Sequence, residues 1–245
     1  MNFYSVIIGT ELLNGRRKDA HFSFLNQELL KRGWEQKANF VIKDDPLFIE
    51  SVFNLVKNDP KGVMFCFGGI GATPDDYTRQ VAANVFTGGK MQQHEEAFNR
   101  IINQFGQEAY PHRIHMANLP LNAGLLNNVV NNVPGFYLED RYFFTPGFPK
   151  MSQAMIVEAL DTFFAQNKPI HRLSLKASCS ENELIPIMKQ IPSHIDFSSL
   201  PQMQGDKRYV VISIASYDQI ETQNFFQYFI HYLQKENFHY VLSDN

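Results

Sequence analysis

Residues 62–67, GVMFCF, are six in a row without a polar side chain, and they run directly into GGIGATPDDYT. A strand with no polar position has no face to offer water, so it belongs in the middle of a parallel sheet covered on both sides. Parallel neighbours need helical crossovers, and the upstream residues supply them. Asn2–Ile8 reads as a first strand. A helix is expected from Ala20 to Arg32, with Phe22, Leu25 and Leu29 on its apolar face, Asp19 as cap and Gly33 as stop. Trp34–Ile42 fits a second strand. Asp45 and Pro46 open another helix, with Leu47, Ile49, Val52, Phe53 and Val56 at its apolar positions. After the apolar hexapeptide a helix is expected from about Pro74 to Phe86, and a further one over Glu95–Phe105. Pro111–Asn118 is a short helix at best. Two short strands flank a turn at Glu139–Asp140, and Met151–Phe164 closes the series. The alternation predicts a three-layer α/β/α sandwich around a mostly parallel sheet.

The tract AQNKP at 165–169 reads as a linker, dividing the chain into domains at 1–167 and 168–245. Beyond it the pattern is strand Leu173–Ala177, helix Ser180–Gln190, strands His194–Ser199 and Tyr209–Ala215, helix Gln219–Gln234 and strand Phe238–Leu242. That βαββαβ order is ferredoxin-like, a small α+β domain. Ser180 and Glu183 are spaced as a capping box. This second domain has no glycine loop or acidic cluster, and an interaction or oligomerisation module is the expectation.

Composition narrows the function classes. The 245 residues are 44% hydrophobic and 19% charged, which is globular, and the net charge of −3 argues against general nucleic-acid binding. The two cysteines, Cys66 and Cys179, make neither a disulfide framework nor a metal-ligand spacing, as fits a reducing cytoplasm. No apolar run is long enough to span a bilayer, and the start lacks a basic leader region, so no membrane partner is expected.

The chemistry concentrates at strand ends. In open parallel sheets ligands bind beyond the carboxyl ends of strands, which brings the loop at Gly9–Asp19 beside the loop at Gly68–Asp76. Gly68, Gly69 and Gly71 permit close backbone approach, and Thr73 and Pro74 suit a helix start whose amides attract anions. The loop lacks the lysine of a P-loop and the spacing of a dinucleotide fingerprint. Asp75 and Asp76 read either as acids of a first helical turn or as ligands of a divalent cation shared with a phosphate. Glu11 and Asp19 read as solvated and capping acids, or as partners of that cation. Arg16, Arg17 and Lys18 are solvated, or contact phosphate. Pro134–Gly135 and Pro146–Gly147 are turn formers, and near a pocket they can lay backbone against a flat ring. His112 and His115 read as a solvated face.

Taken in order, GTELLNG, GGIGATPDDYT and TPGFP resemble the amino-terminal domain of CinA (competence/damage-inducible protein A), within the MogA/MoaB-like molybdopterin-binding superfamily. The similarity covers about residues 1–165, and the βαββαβ tail is similar to the small domain that follows in CinA proteins. The deamidase domain of full-length members has no counterpart in these 245 residues. The resemblance implies a pterin or nucleotide ligand, a homo-oligomer and, for CinA-like members, hydrolysis of ADP-ribose with Mg²⁺, Mn²⁺ or Co²⁺. By motif, Gly68, Gly69, Gly71 and Thr73 line the ligand site, with Gly9, Glu11, Pro146 and Gly147. Asp75, Asp76 and Glu11 hold the metal, and Asp75, Asp76 and Asp19 carry catalysis. Departures fall in the same region. Asp19-Ala20-His21 stands where the family often has N-x-N, RIHMANLP lacks the usual lysine, NVVNNVPGF replaces a glycine-rich stretch, and PGFPKMS lacks a glutamate. These favour binding over turnover.

Overall fold

A computed structural model describes residues 1–205 and 207–243, and the chain divides into two compact units, Met1–Asn167 and Lys168–Asn245. The first unit runs β1 (Asn2–Ile8), α1 (Thr10–Leu13), α2 (His21–Lys31), β2 (Gln36–Ile42), α3 (Pro46–Lys57), β3 (Gly62–Phe67), α4 (Thr78–Thr87), β4 (Met91–Gln93), α5 (Glu95–Phe105), β5 (Asn118–Pro120), β6 (Gly124–Leu126), β7 (Gly135–Leu138), β8 (Tyr142–Thr145) and α6 (Pro149–Phe163). Two 3₁₀ turns, Gly106–Ala109 and Arg113–Ala117, lie between α5 and β5.

Six strands form the central sheet in the order β2-β1-β3-β8-β7-β6. The pairs β1–β2, β1–β3 and β3–β8 are parallel, and the β8–β7–β6 edge is antiparallel. Every residue of β3 is buried, as a polar-free strand requires. Alternation splits its side chains between two layers. Met64 and Cys66 pack under α3, α4 and α5 with Val52, Phe53, Val81 and Ile101. Val63, Phe65 and Phe67 pack under α2 and α6 with Leu25, Leu29, Ile156 and Leu160. The three-layer sandwich follows from that division.

Asp45 caps α3 as expected, accepting from the amides of Leu47 and Phe48 with Pro46 in the first turn. Other details differ from the sequence reading, among them Phe22 and Leu47, expected on apolar helix faces but exposed. The helix expected from Pro74 begins only at Thr78. Gly69 O takes the Thr78 amide at 3.0 Å, and Thr73 is bonded to Asp76 instead of capping a helix. Asp75 and Asp76 therefore lie ahead of the helix and not in its first turn. The second strand starts at Gln36, because the Trp34 amide closes the preceding turn on Leu29 O at 2.9 Å. Strands β4, β5 and β6, three residues each, are too short to show an alternation in sequence.

One carboxylate ties the amino-terminal edge of the sheet. Asp59 Oδ2 accepts from Asn2 Nδ2 at 2.7 Å, Tyr4 Oη at 2.8 Å and Lys37 Nζ at 3.0 Å. These bonds, Asn2's first, hold its carboxyl well below the ordinary 3.8. The stabilisation is complete above that ordinary value and is lost as pH falls toward the folded one. Asp59→Asn is accordingly less stable than the native chain at pH 6, and the difference in urea midpoint shrinks by pH 2.5.

The second unit runs β9 (His171–Ala177), α7 (Glu181–Met188), β10 (Asp196–Gln204), β11 (Lys207–Ser216), α8 (Gln219–Lys235) and β12 (Tyr240–Ser243). Its sheet order, β10-β11-β9-β12 with every neighbour antiparallel, is ferredoxin-like as expected. The capping box forms: Ser180 amide and hydroxyl donate to Glu183 Oε2 at 2.7 and 2.8 Å. Leu184 and Ile187 of α7, with Phe226 and Phe229 of α8, cover the face carrying Leu175, Ile212 and Ile214. Among the described residues no helix is long and apolar enough to cross a membrane.

Candidate functional site

The loop after β3 is fixed by the start of α4. Thr78 donates its hydroxyl to Gly68 O at 2.9 Å and its amide to Gly69 O at 3.0 Å. Arg79 Nη1 donates to both Ile70 O and Gly71 O. Four successive carbonyls are thus drawn toward two residues. In a trans peptide the carbonyl and the following amide point in opposite directions. The amides of Gly69, Ile70, Gly71 and Ala72 are therefore directed away from Thr78 and Arg79. Among the described residues none of the four has a hydrogen-bond acceptor. Such a row of free amides is a cradle suited to an anion. The partly buried Arg79 adds a fixed positive charge behind it; burial lowers its pKa against the pull of Asp76, and a guanidinium stays ionised regardless.

Glycine is required at two of these positions. Gly68 has φ +98°, and a Cβ there would sit 2.5 Å from Ile8 O. Gly69 has φ +70°, and a Cβ there would overlap the Thr78 hydroxyl. The first of these contacts joins the loop to the carboxyl end of β1.

The first loop and the Pro146–Gly147 turn meet the glycine loop on that side. A Cβ on Gly147 would lie 3.4 Å from Gly68 Cα. Arg17 Nη2 donates to Gly147 O at 3.0 Å, and His21 Nε2 lies 3.3 Å from the same oxygen. A carbonyl only accepts, so Nε2 carries the proton and Nδ1 faces the Ser152 hydroxyl at 3.2 Å. The imidazole stacks on Phe67 with ring centres 4.5 Å apart. Burial holds the His21 pKa below 6.5, opposed by Gly147 and Asp19. Protonation consequently favours the unfolded chain, and stability falls as pH drops below the ordinary value. The non-titrating variant His21→Gln should show a smaller change in urea midpoint between pH 7.5 and 5.5 than the native chain.

A cleft of about 440 Å³ on the Arg79 side of the loop is lined by Asp76, Arg79, Gln80, Met91, Gln92, Gln93, His115 and Asn118. Its carboxamides offer donors and acceptors together. Sequence reading missed this cleft except for Asp76, and treated His115 as solvated. Arg79 was also missed; the only signal was a lone cation just after the glycine motif.

The acids do not converge. Asp76 Oδ2 accepts from the Thr73 amide at 2.8 Å and the Thr73 hydroxyl at 2.5 Å, which closes the turn before α4. Asp75 is exposed. Glu11 turns to Arg17, 3.6 Å away, and folds back over Gly9. Asp19 takes the amides of His21 and Phe22 at 2.9 and 3.1 Å, a capping role. Glu11, Asp19, Arg17, His21 and Gly147 share one tight niche, while Asp76 lines the cleft. Among the described residues no three or more His, Cys, Asp or Glu side chains are placed to hold a metal ion. The expected metal set of Asp75, Asp76 and Glu11 is not assembled in this arrangement: Asp76 is bonded to Thr73, Glu11 faces Arg17, and Asp75 is exposed.

Fold and site together define an α/β/α domain with a glycine loop of unbonded amides at the carboxyl end of its central strand β3. The chain belongs to the family described as the probable molybdopterin binding domain, whose model matches residues 5–166. It is similar to Protein PH0439 of Pyrococcus horikoshii, 26% identical over 227 residues, covering 87% of this chain and 88% of that protein. A CinA-like protein of Syntrophotalea carbinolica is 30% identical over 164 residues, covering 64% of this chain and 39% of its own length. The crystal structure of the protein CinA, of unknown function, from Thermoplasma acidophilum superposes with a TM-score of 0.59 at 26% identity, covering 66% of this chain and 97% of that one.

Proposed function

We propose that the first unit binds a pterin or nucleotide, holding its phosphate on the amides of Gly69–Ala72. One observation carries the reading: Thr78 and Arg79 take the carbonyls of residues 68–71, which leaves four neighbouring amides with no acceptor among the described residues. Family membership supports the ligand class. Arg17, bonded to Gly147 O, adds charge for a second phosphate.

Hydrolysis of a bound diphosphate, as in ADP-ribose, is the second reading. Asp75 and Asp76 beside the cradle favour it, because hard cations take carboxylate and phosphate oxygens together. The side chains do not make a ready metal centre, so no step is assigned to a metal here, and binding without turnover is the function supported best.

Thermal shift with AMP and with ADP-ribose, each with and without Mg²⁺, Mn²⁺ or Co²⁺, tests both. The expected result is saturable stabilisation by either nucleotide without added metal. No stabilisation under any condition would overturn the binding reading. Release of AMP from ADP-ribose only when metal is present would establish the second.

A further inference from the structure

The turn that abuts the glycine loop presents an aromatic ring to solvent. Phe148 is 60% exposed, yet its backbone is held on both sides. Gly147 O is bonded by Arg17 and faces His21, and Phe148 O accepts from the Met151 and Ser152 amides at 2.9 and 3.1 Å. A fixed backbone carrying a free ring is a platform already ordered before anything binds, which lowers the entropy cost of binding on it. The neighbour of that ring is a cation. Arg17 Cζ lies 5.6 Å from the ring centre. An aromatic face next to a guanidinium is the pairing that stacks a heterocycle while attracting its phosphate. The position is suitable as well. A Cβ built on Gly147 would come within 3.4 Å of Gly68 Cα, so the ring follows directly on the residue that abuts the glycine loop. Core packing gives no reason for it, because burying a phenylalanine is worth roughly 2 kcal/mol and this one stays in water.

We propose that Phe148 is a specificity-determining residue that stacks the planar ring of the bound ligand, so the site prefers a heterocyclic phosphate to a sugar phosphate without a ring. The inference rests on the phosphate reading of the glycine loop. Calorimetric titration of AMP and of ribose 5-phosphate into the native chain, Phe148→Ala and Phe148→Trp tests it. The expected result is AMP affinity lowered roughly tenfold in Phe148→Ala and retained in Phe148→Trp, with ribose 5-phosphate affinity the same in all three. Equal loss of both ligands, or loss of neither, in Phe148→Ala overturns the inference. So does native AMP affinity no greater than that for ribose 5-phosphate, which leaves the phosphate reading standing. Binding of neither ligand by the native chain removes both. Light scattering on the same samples adds a further arm: a drop in mass in Phe148→Ala would make the ring a contact between copies and overturn the stacking role.

Discussion

Gly68→Ala is expected to lose roughly 3 kcal/mol of stability, roughly 10 °C in the melting temperature of the first unit, and to lose nucleotide binding with it. Two costs add. At φ +98° an L side chain is strained whatever the space around it. The new Cβ would also meet Ile8 O at 2.5 Å. That oxygen belongs to β1, paired with β2 on one side and β3 on the other, and a strand held on both edges does not step aside. The loop would have to lift, taking the row of amides out of place. Gly15→Ala is the control. Gly15 has φ +78° but nothing within 4 Å of its would-be Cβ, so it should show only the conformational cost of roughly 1 kcal/mol and bind as the native chain does. Equal effects at the two positions would mean that the contact with β1 contributes nothing.

Arg79→Met should cost roughly 2–3 kcal/mol in chemical denaturation and reduce AMP affinity at least roughly tenfold, because it removes the donor that sets two of the four carbonyls. Methionine keeps the apolar stem and deletes the guanidinium. Ile70 O and Gly71 O would then lack their partner, and the amides of the same peptides would lose their fixed direction. Arg79→Lys should fall between the two, since an ammonium is a point charge and not a planar fork. Calorimetry on the three proteins checks the order. Full AMP affinity in Arg79→Met would separate the cation from the cradle.

Parts of the fold that repeat a pattern over many residues were legible in the sequence. The apolar run of β3 identified a strand covered on both faces, Asp45–Pro46 marked the start of α3, and Ser180 with Glu183 marked the start of α7. Failures came where two partners competed for one group. Thr73–Pro74–Asp75–Asp76 satisfies the rules for a helix start, yet Gly69 O captures the Thr78 amide across nine residues and delays the helix. Asp19 reads both as a cap and as a site acid, and its carboxylate holds the amides of His21 and Phe22 at the start of α2. Glu11 has an arginine six residues along the chain and faces it at 3.6 Å. Arg79 and the cleft lay beyond sequence reading for a different reason. A single helical arginine looks like a surface residue until the loop above it is in place. The cleft also draws on β4 and β5, which are too short to leave a period.

The central claim is that the amides of Gly69, Ile70, Gly71 and Ala72 hold the ligand's phosphate. Two-dimensional ¹H–¹⁵N spectra of the native chain during titration with AMP test it most directly. Saturable downfield shifts are expected at those four amides, as for N–H groups that gain a charged acceptor, with the same amides responding to ribose 5-phosphate. Shifts that leave these four amides unmoved while other residues respond would contradict it.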